Sequence, residues 1–222
     1  MCGADVGDAW LVSRLTEIFC TRHGELPGCE MCGAPADPPP YCASCAATTV
    51  TDQAAVRVVL PAVRRDLHGL GIRLTRPVQV ELVPRRLIDH LAEPELWDVG
   101  HPSTVSGMTI SVGDQVLRLT VVEGLPLMRF GAVVAHEAMH AWMAQRGFSE
   151  DLATPLREGL CQLTAFSWLR RQTDPRAALI REAMERDPDP DYGDGFRTVR
   201  DAVLRKGLQP VLAALRSHGR LP

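Results

Sequence analysis

The chain has 222 residues, of which 45% are hydrophobic and 23% charged, the balance of an ordinary folded protein and enough for one compact domain with a small module. A formal net charge of −3 argues against a general electrostatic grip on nucleic acid, and no apolar run of about eighteen residues is present to cross a membrane. The N-terminal Met1-Cys2-Gly3-Ala4-Asp5 has neither the basic region nor the apolar core of a secretory signal, so a cytoplasmic protein without membrane or nucleic-acid partners is expected.

Residues 8–19 carry Trp10, Leu11, Leu15, Ile18 and Phe19 at helical spacing behind the capping residue Asp8, which predicts a helix. Five of the seven cysteines then follow: Cys20, Cys29, Cys32, Cys42 and Cys45. The pairs Cys29/Cys32 and Cys42/Cys45 are two C-x-x-C knuckles bracketing a short hairpin. Zinc takes four soft, deprotonated ligands in a tetrahedron, and each knuckle supplies one edge of it. The intervening run Ala34 to Pro40 is too Pro-rich to build a core, so the metal would supply the folding energy. Two disulfides are the rival pairing, and a cytoplasmic chain with seven thiols argues against them. Upstream, Cys20-x2-His23 is half of a further site with only Cys2 before it. A degenerate remnant reads better there than a third zinc on Cys2, Cys20 and His23. The finger lacks both the C2H2 pattern and the Lys/Arg cluster of a nucleic-acid reader.

Thr51 or Asp52 caps a helix to about His68, which Pro61 is expected to kink or split and Gly69 and Gly71 to end. Val78 to Val83 alternates with period two and predicts a strand, and Pro84 starts a short helix through Leu91. Residues 104–111 and 115–122 read as two strands about a Gly113-Asp114 turn. From Pro126 onward the pattern is helical, over about 126–146, 154–171, 175–186, 194–206 and 208–217, with Asp187 to Asp191 as an acidic, Pro-rich loop. The expected fold class is α+β, a small sheet followed by a helical half. A helix and finger over residues 1–47 precede a body over 48–222.

The chemistry lies in His136-Glu137-Ala138-Met139-His140, an H-E-x-x-H on a predicted helix. At 3.6 residues per turn the two histidines share one face and can hold one zinc ion. Glu137 can then act as general base towards the water that zinc activates, and later return the proton to a leaving amine. Two histidines packed on a helix without metal are the bland alternative. A catalytic zinc needs a third protein ligand. Glu158, eighteen residues after His140 near the start of the next helix, would be returned to the histidines by a helix hairpin, the gluzincin arrangement. His101 and His218 are rivals for that place.

These residues resemble a known family. His136-Glu137-x-Met139-His140-Ala141-Trp142, then Glu158-Gly159-Leu160-Cys161-Gln162 with Trp168-Leu169 behind it, is similar to the ubiquitin-activated, LIM-domain zinc metallopeptidases of plants that limit organ size. Gly124-Leu125-Pro126, Tyr192-Gly193-Asp194-Gly195-Phe196-Arg197 and the ending Gly207-Leu208, Leu212, Arg216, Gly219 and Pro222 extend the likeness, as do Cys20-x2-His23 and the four-cysteine, LIM-like finger. It covers roughly residues 18 to 222. The resemblance implies a gluzincin-like zinc endopeptidase domain acting on regulatory proteins and switched on by ubiquitination. The departures are the missing ubiquitin-interacting helices and the incomplete LIM domain, which leave the activator open between a ubiquitin-like protein and none. Lys206 is the single lysine and asparagine is absent, so 23 of 24 basic residues are arginine. A G+C-rich genome, and hence a bacterial source, accounts for this more simply than avoidance of lysine modification.

Peptide hydrolysis develops charge on the carbonyl oxygen, which a phenol or cation should stabilise; Tyr192 is the first candidate and Arg197 the second. Gln162, one turn after Glu158, is a candidate partner on the ligand helix, and Cys161 reads as core rather than nucleophile. An extended substrate would pair with residues 104–111 or 115–122 at the sheet edge. The leading expectation is therefore an endopeptidase with one catalytic and one structural zinc, acting on a protein or peptide substrate. A zinc-finger adaptor with a non-cleaving body is the alternative, and an enzyme whose finger blocks the cleft until a partner displaces it is the third.

Overall fold

The computed structural model describes residues 10–91 and 105–222. Cys2, His101, the cap at Asp8 and the first residue of the strand expected at 104 lie outside them.

The N-terminal segment departs from expectation. In place of a helix over residues 8–19, strands β1 (Trp10–Val12) and β2 (Ile18–Cys20) pair antiparallel, Trp10 opposite Cys20 and Val12 opposite Ile18. The turn between them is the cause. The Ser13 hydroxyl accepts from the N–H groups of Leu15 and Glu17 at 3.2 and 3.1 Å, and Thr16 stands at φ 64°. A serine that captures nearby backbone donors offers the chain an alternative to helix. Two apolar triplets five residues apart then satisfy a ribbon as well as a helix.

The finger follows, ending in α1 (Ala43–Ala46). Its first knuckle closes by Gly33 N–H to the Cys29 carbonyl at 2.8 Å and Cys29 N–H to the Ala34 carbonyl at 2.7 Å. Gly33 stands at φ 73°, a left-handed conformation that favours glycine. β3 (Thr49–Val50) leads into α2 (Gln53–Gly69), capped by the Asp52 carboxylate on Ala55 N–H at 2.8 Å. Pro61 does not split this helix. It lies on the exposed side, as does Arg57, whose carbonyl loses its donor, while Val56, Leu60, Val63 and Leu67 bury the opposite face. The freed carbonyl is therefore left to water, and core packing holds the helix continuous.

The main sheet has three strands in the order β4 (Val80–Val83), β6 (Gln115–Val122), β5 (Gly107–Val112). β4 runs parallel to β6 and β5 antiparallel to it, with a bulge between Ile110 and Ser111. The short α3 (Arg85–Leu91) follows β4. β6 alternates in burial at its start and is fully buried from Leu119 to Val122, as a central strand under helices should be. β7 (Leu125–Pro126) pairs with β3 and passes directly into α4 (Leu127–Gln145).

The helical half is completed by α5 (Thr154–Leu169), α6 (Pro175–Arg186), α7 (Gly195–Lys206) and α8 (Leu208–His218). A π-helical turn over Pro190–Asp194, capped by the Asp189 carboxylate, replaces the end of the expected acidic loop and runs into α7. α4 is buried on both sides, against the sheet and against α5. Two close crossings set the helix positions: Trp168 of α5 covers Gly131 of α4, and Gly159 of α5 lies on the Gly195 carbonyl of α7, where a Cβ would overlap that oxygen. The fold is thus mixed α+β, with the core between sheet and helices.

Candidate metal centres and cleft

Helix geometry puts His136 and His140 one turn apart on α4, and the α4–α5 hairpin returns Glu158 to them. Nε2 of His136 lies 3.1 Å from Glu158 Oε2, Nε2 of His140 lies 3.3 Å from the same oxygen, and the two imidazole nitrogens are 3.2 Å apart. A tetrahedral zinc with bonds of about 2.0–2.1 Å has ligand edges of about 3.3–3.4 Å, so this triangle fits the ion with small adjustment. Burial pushes the Glu158 carboxyl up, but the imidazoles, His140 foremost, outweigh it and hold the group well below the usual carboxylate range. His140 answers in kind: burial opposes its charge, and Cys161 and Glu158 raise it well above the ordinary imidazole value.

Glu137 points from the same helix towards the sheet. Its Oε2 accepts the Thr109 hydroxyl at 2.8 Å, and that hydroxyl also lies 3.0 Å from the Glu137 carbonyl. β5 can approach this closely because residue 107 is glycine; a Cβ there would stand 2.9 Å from Glu137 Cγ. Tyr192, carried by the π turn over α5, stacks on His136 with ring centroids 6.0 Å apart. Burial, and then the carboxylates Glu158 and Glu137, push its phenol far up, so it stays protonated. These groups line a cleft of about 440 Å³ between β5, the C-terminal part of α4 and the start of α5.

Several expected residues lie elsewhere. Arg197 is turned away, donating to Asp194 at 2.6 Å and to the Glu185 carbonyl at 3.0 Å, because its face of α7 meets α6 rather than the cleft. Gln162 is half-buried one turn along α5 from Glu158, outside the cleft lining and with no hydrogen bond to His136, His140 or Glu158. His218 is exposed on α8, away from the cleft. Of the two strands offered as a substrate edge, only β5 is one; β6 is paired on both sides. No described finger residue lines the cleft.

Sequence reasoning missed three groups. Thr109 is distant in sequence and carried no local signal. Arg157, beside the ligand candidate, places Nε 3.6 Å from Glu158 Oε1. Cys161 is fully buried as expected, yet it offers its sulfur within 4.8 Å of both imidazoles, a neighbourhood that its position one turn after Glu158 could have indicated.

In the finger, the sulfurs of Cys29, Cys32, Cys42 and Cys45 all lie within 4.8 Å of one another, Cys32 being 3.7 Å from Cys42 and 3.8 Å from Cys45. The edge of a zinc–thiolate tetrahedron is about 3.8 Å, whereas a disulfide is about 2.05 Å, so the set fits a metal rather than the rival disulfides. Burial opposes ionisation of Cys29, but backbone N–H groups of Cys42, Cys32 and Met31 outweigh it and bring the thiol down to about 7. Burial pushes Cys45 up to about 11, against the Arg176 guanidinium 3.4 Å from its sulfur. Cys20 and His23 meet at 3.3 Å, and among the described residues no third ligand joins them.

Residues 104–184 match the family model described as DA1-like, Protein DA1. Protein DA1 of Arabidopsis thaliana is 25% identical over 82% of this chain and 45% of its own length. Protein DA1-related 1 of the same plant is 23% identical over 82% and 44%, and the rice LIM domain-containing protein HDR3 is 21% identical over 82% and 49%. The chain therefore spans under half the length of each of these relatives. No solved structure matches it. Among the described residues no helix is long and apolar enough to cross a membrane.

Proposed function

Because the chain is a relative of the plant DA1 family, we propose that it is a zinc-dependent endopeptidase, a gluzincin-like domain over residues 48–222 preceded by a structural zinc finger within 1–47. The observation that carries this reading is the triangle of His136, His140 and Glu158 at 3.1–3.3 Å, opening on a cleft where Glu137 is held by Thr109. Zinc bound there would supply Lewis-acid polarisation and a water acidic enough to ionise near neutral pH.

The protein's own groups do the rest. Thr109 occupies Glu137 Oε2, which leaves Oε1 to take a proton and return it to the leaving amine. Tyr192, kept neutral by burial, has a proton to donate to the carbonyl oxygen as that oxygen gains charge. Among the described residues no strand pairs with the outer edge of β5, which offers backbone N–H and C=O groups to an extended peptide running along the cleft. The substrate would be a protein or peptide. A ubiquitin-like activator follows from the resemblance to the plant peptidases alone.

The test is mass-spectrometric mapping of new N-termini after incubating zinc-loaded wild type and Glu137→Gln with host lysate. Termini that appear with wild type alone are the expected result. Zinc-loaded proteins that both cut nothing would overturn the reading in favour of a non-cleaving adaptor.

A further inference from the structure

Arg157 is the one arginine or lysine among the described residues that line the cleft, and we infer that it makes the cleft selective for peptides bearing an acidic side chain close to the bond that is cut. This inference rests on the peptidase reading and names a substrate class for it.

The guanidinium has five N–H donors in a planar fork, suited to a carboxylate held by two parallel bonds. None of its present contacts is of that kind. Nε stands 3.6 Å from Glu158 Oε1, one terminal nitrogen 3.3 Å from the Glu150 carbonyl and the other 3.5 Å from the Thr154 hydroxyl. All three exceed the roughly 2.7–2.9 Å of a charge-assisted hydrogen bond. Glu158 is shared, since its other oxygen faces the two imidazoles. Of the two other carboxylates that line the cleft, Glu137 accepts the Thr109 hydroxyl and Glu150 accepts Gly113 N–H at 3.3 Å, and neither is paired with Arg157. The Arg157 side chain is 33% exposed, and Met143, Phe148 and Leu152 help to line the same cleft. An under-used guanidinium beside apolar walls favours a carboxylate and repels a lysine or arginine, so it discriminates in both directions.

A structural role confined to steadying Glu158 would leave substrate preference unmoved, so preference is the readout. Zinc-loaded wild type, Arg157→Glu, Arg157→Gln and Arg157→Lys would each digest one pool of synthetic peptides, with mass spectrometry reading the residues around every new terminus. Wild type should enrich Asp and Glu at one position by on the order of tenfold over Asn and Gln. Arg157→Lys, which keeps the charge without the fork, should keep a weaker enrichment, Arg157→Gln lose it, and Arg157→Glu replace it by Lys and Arg. Zinc content by elemental analysis guards against loss of the site; if Arg157→Glu loses zinc, the neutral Arg157→Gln carries the decision. An identical profile for wild type and the zinc-loaded Arg157→Gln would overturn the inference while leaving the peptidase reading intact. A binding arm makes the two separable in the other direction. Glu137→Gln titrated with a peptide containing Glu should bind it about tenfold more tightly than the matched Gln peptide, and adding Arg157→Gln should erase the difference. Equal affinities for the two peptides would count against Arg157 whether or not wild type cuts.

Discussion

Thr109 spends its one hydroxyl proton on the oxygen of a glutamate twenty-eight residues away in sequence, which makes it the side chain that fixes the direction of Glu137. Thr109→Val keeps the β-branched shape and removes the donor. It should lower kcat about tenfold with zinc content unchanged, and Thr109→Ser should restore most of the rate. Tyr192 gives a pH test. Burial raises its pKa in the folded chain, so the native state keeps a proton that the unfolded chain gives up near pH 10. Stability linked to this group is complete below about pH 10 and falls as pH rises above it. Denaturant melts of Tyr192→Phe should therefore show a flatter decline above about pH 10 than those of wild type. At this scale the sequence was informative where chemistry is local: the two histidines, Glu137 and the four cysteines announce themselves by spacing. Arg197 points away from the cleft, a direction that helix periodicity alone does not give, and Thr109 is tied to its partner only through strand–helix packing.

Among elements, the crossing of α5 and α7 does the positioning. Gly159 touches the Gly195 carbonyl, Gly195 in turn lies on the Pro155 carbonyl, and the π turn just before Gly195 lowers Tyr192 onto His136. Gly159→Ala has good helix propensity but no room for its methyl against a carbonyl oxygen. It should cost about 1–3 kcal/mol in urea unfolding. It should also weaken zinc binding at the histidine site, because neighbouring Glu158 moves with the backbone. The long amphipathic helices and the hairpin about Gly113 were legible because their periodicities are sustained. The ribbon of β1 and β2 was not. Its Trp-Leu-Val and Ile-Phe-Cys triplets fit a helix until Ser13 takes the Leu15 and Glu17 donors, and such captures are decided by local geometry that periodicity ignores. The split expected at Pro61 fails for a related reason: the carbonyl that loses its donor lies on the exposed face, where water can take it.

For the molecule as a whole, the finger is built into the body. Leu179 and Ile180 of α6 pack on its cysteine cluster, Arg176 reaches the Cys45 sulfur and donates to the Ser44 hydroxyl at 2.6 Å, and Glu30 lies 3.6 Å from Arg129 in the first turn of α4. Losing a metal ion from the four-cysteine set, where one is bound, should therefore be felt globally. Cys42→Ser should lose one zinc per chain by native mass spectrometry and lower Tm by about 10 °C or more, in a single calorimetric transition. Two well-separated transitions would show instead that finger and body melt independently. The pairing of β3 with β7 carries a mechanical corollary. The chain leaves the finger, crosses two residues, and is clasped at Thr49 and Val50 to the strand whose next residue begins the histidine helix. His136 stands nine residues along that rod, about 14 Å from its root. Finger and rod thus share one clasp at their roots, so the cysteine site and the imidazoles are referred to a common backbone anchor.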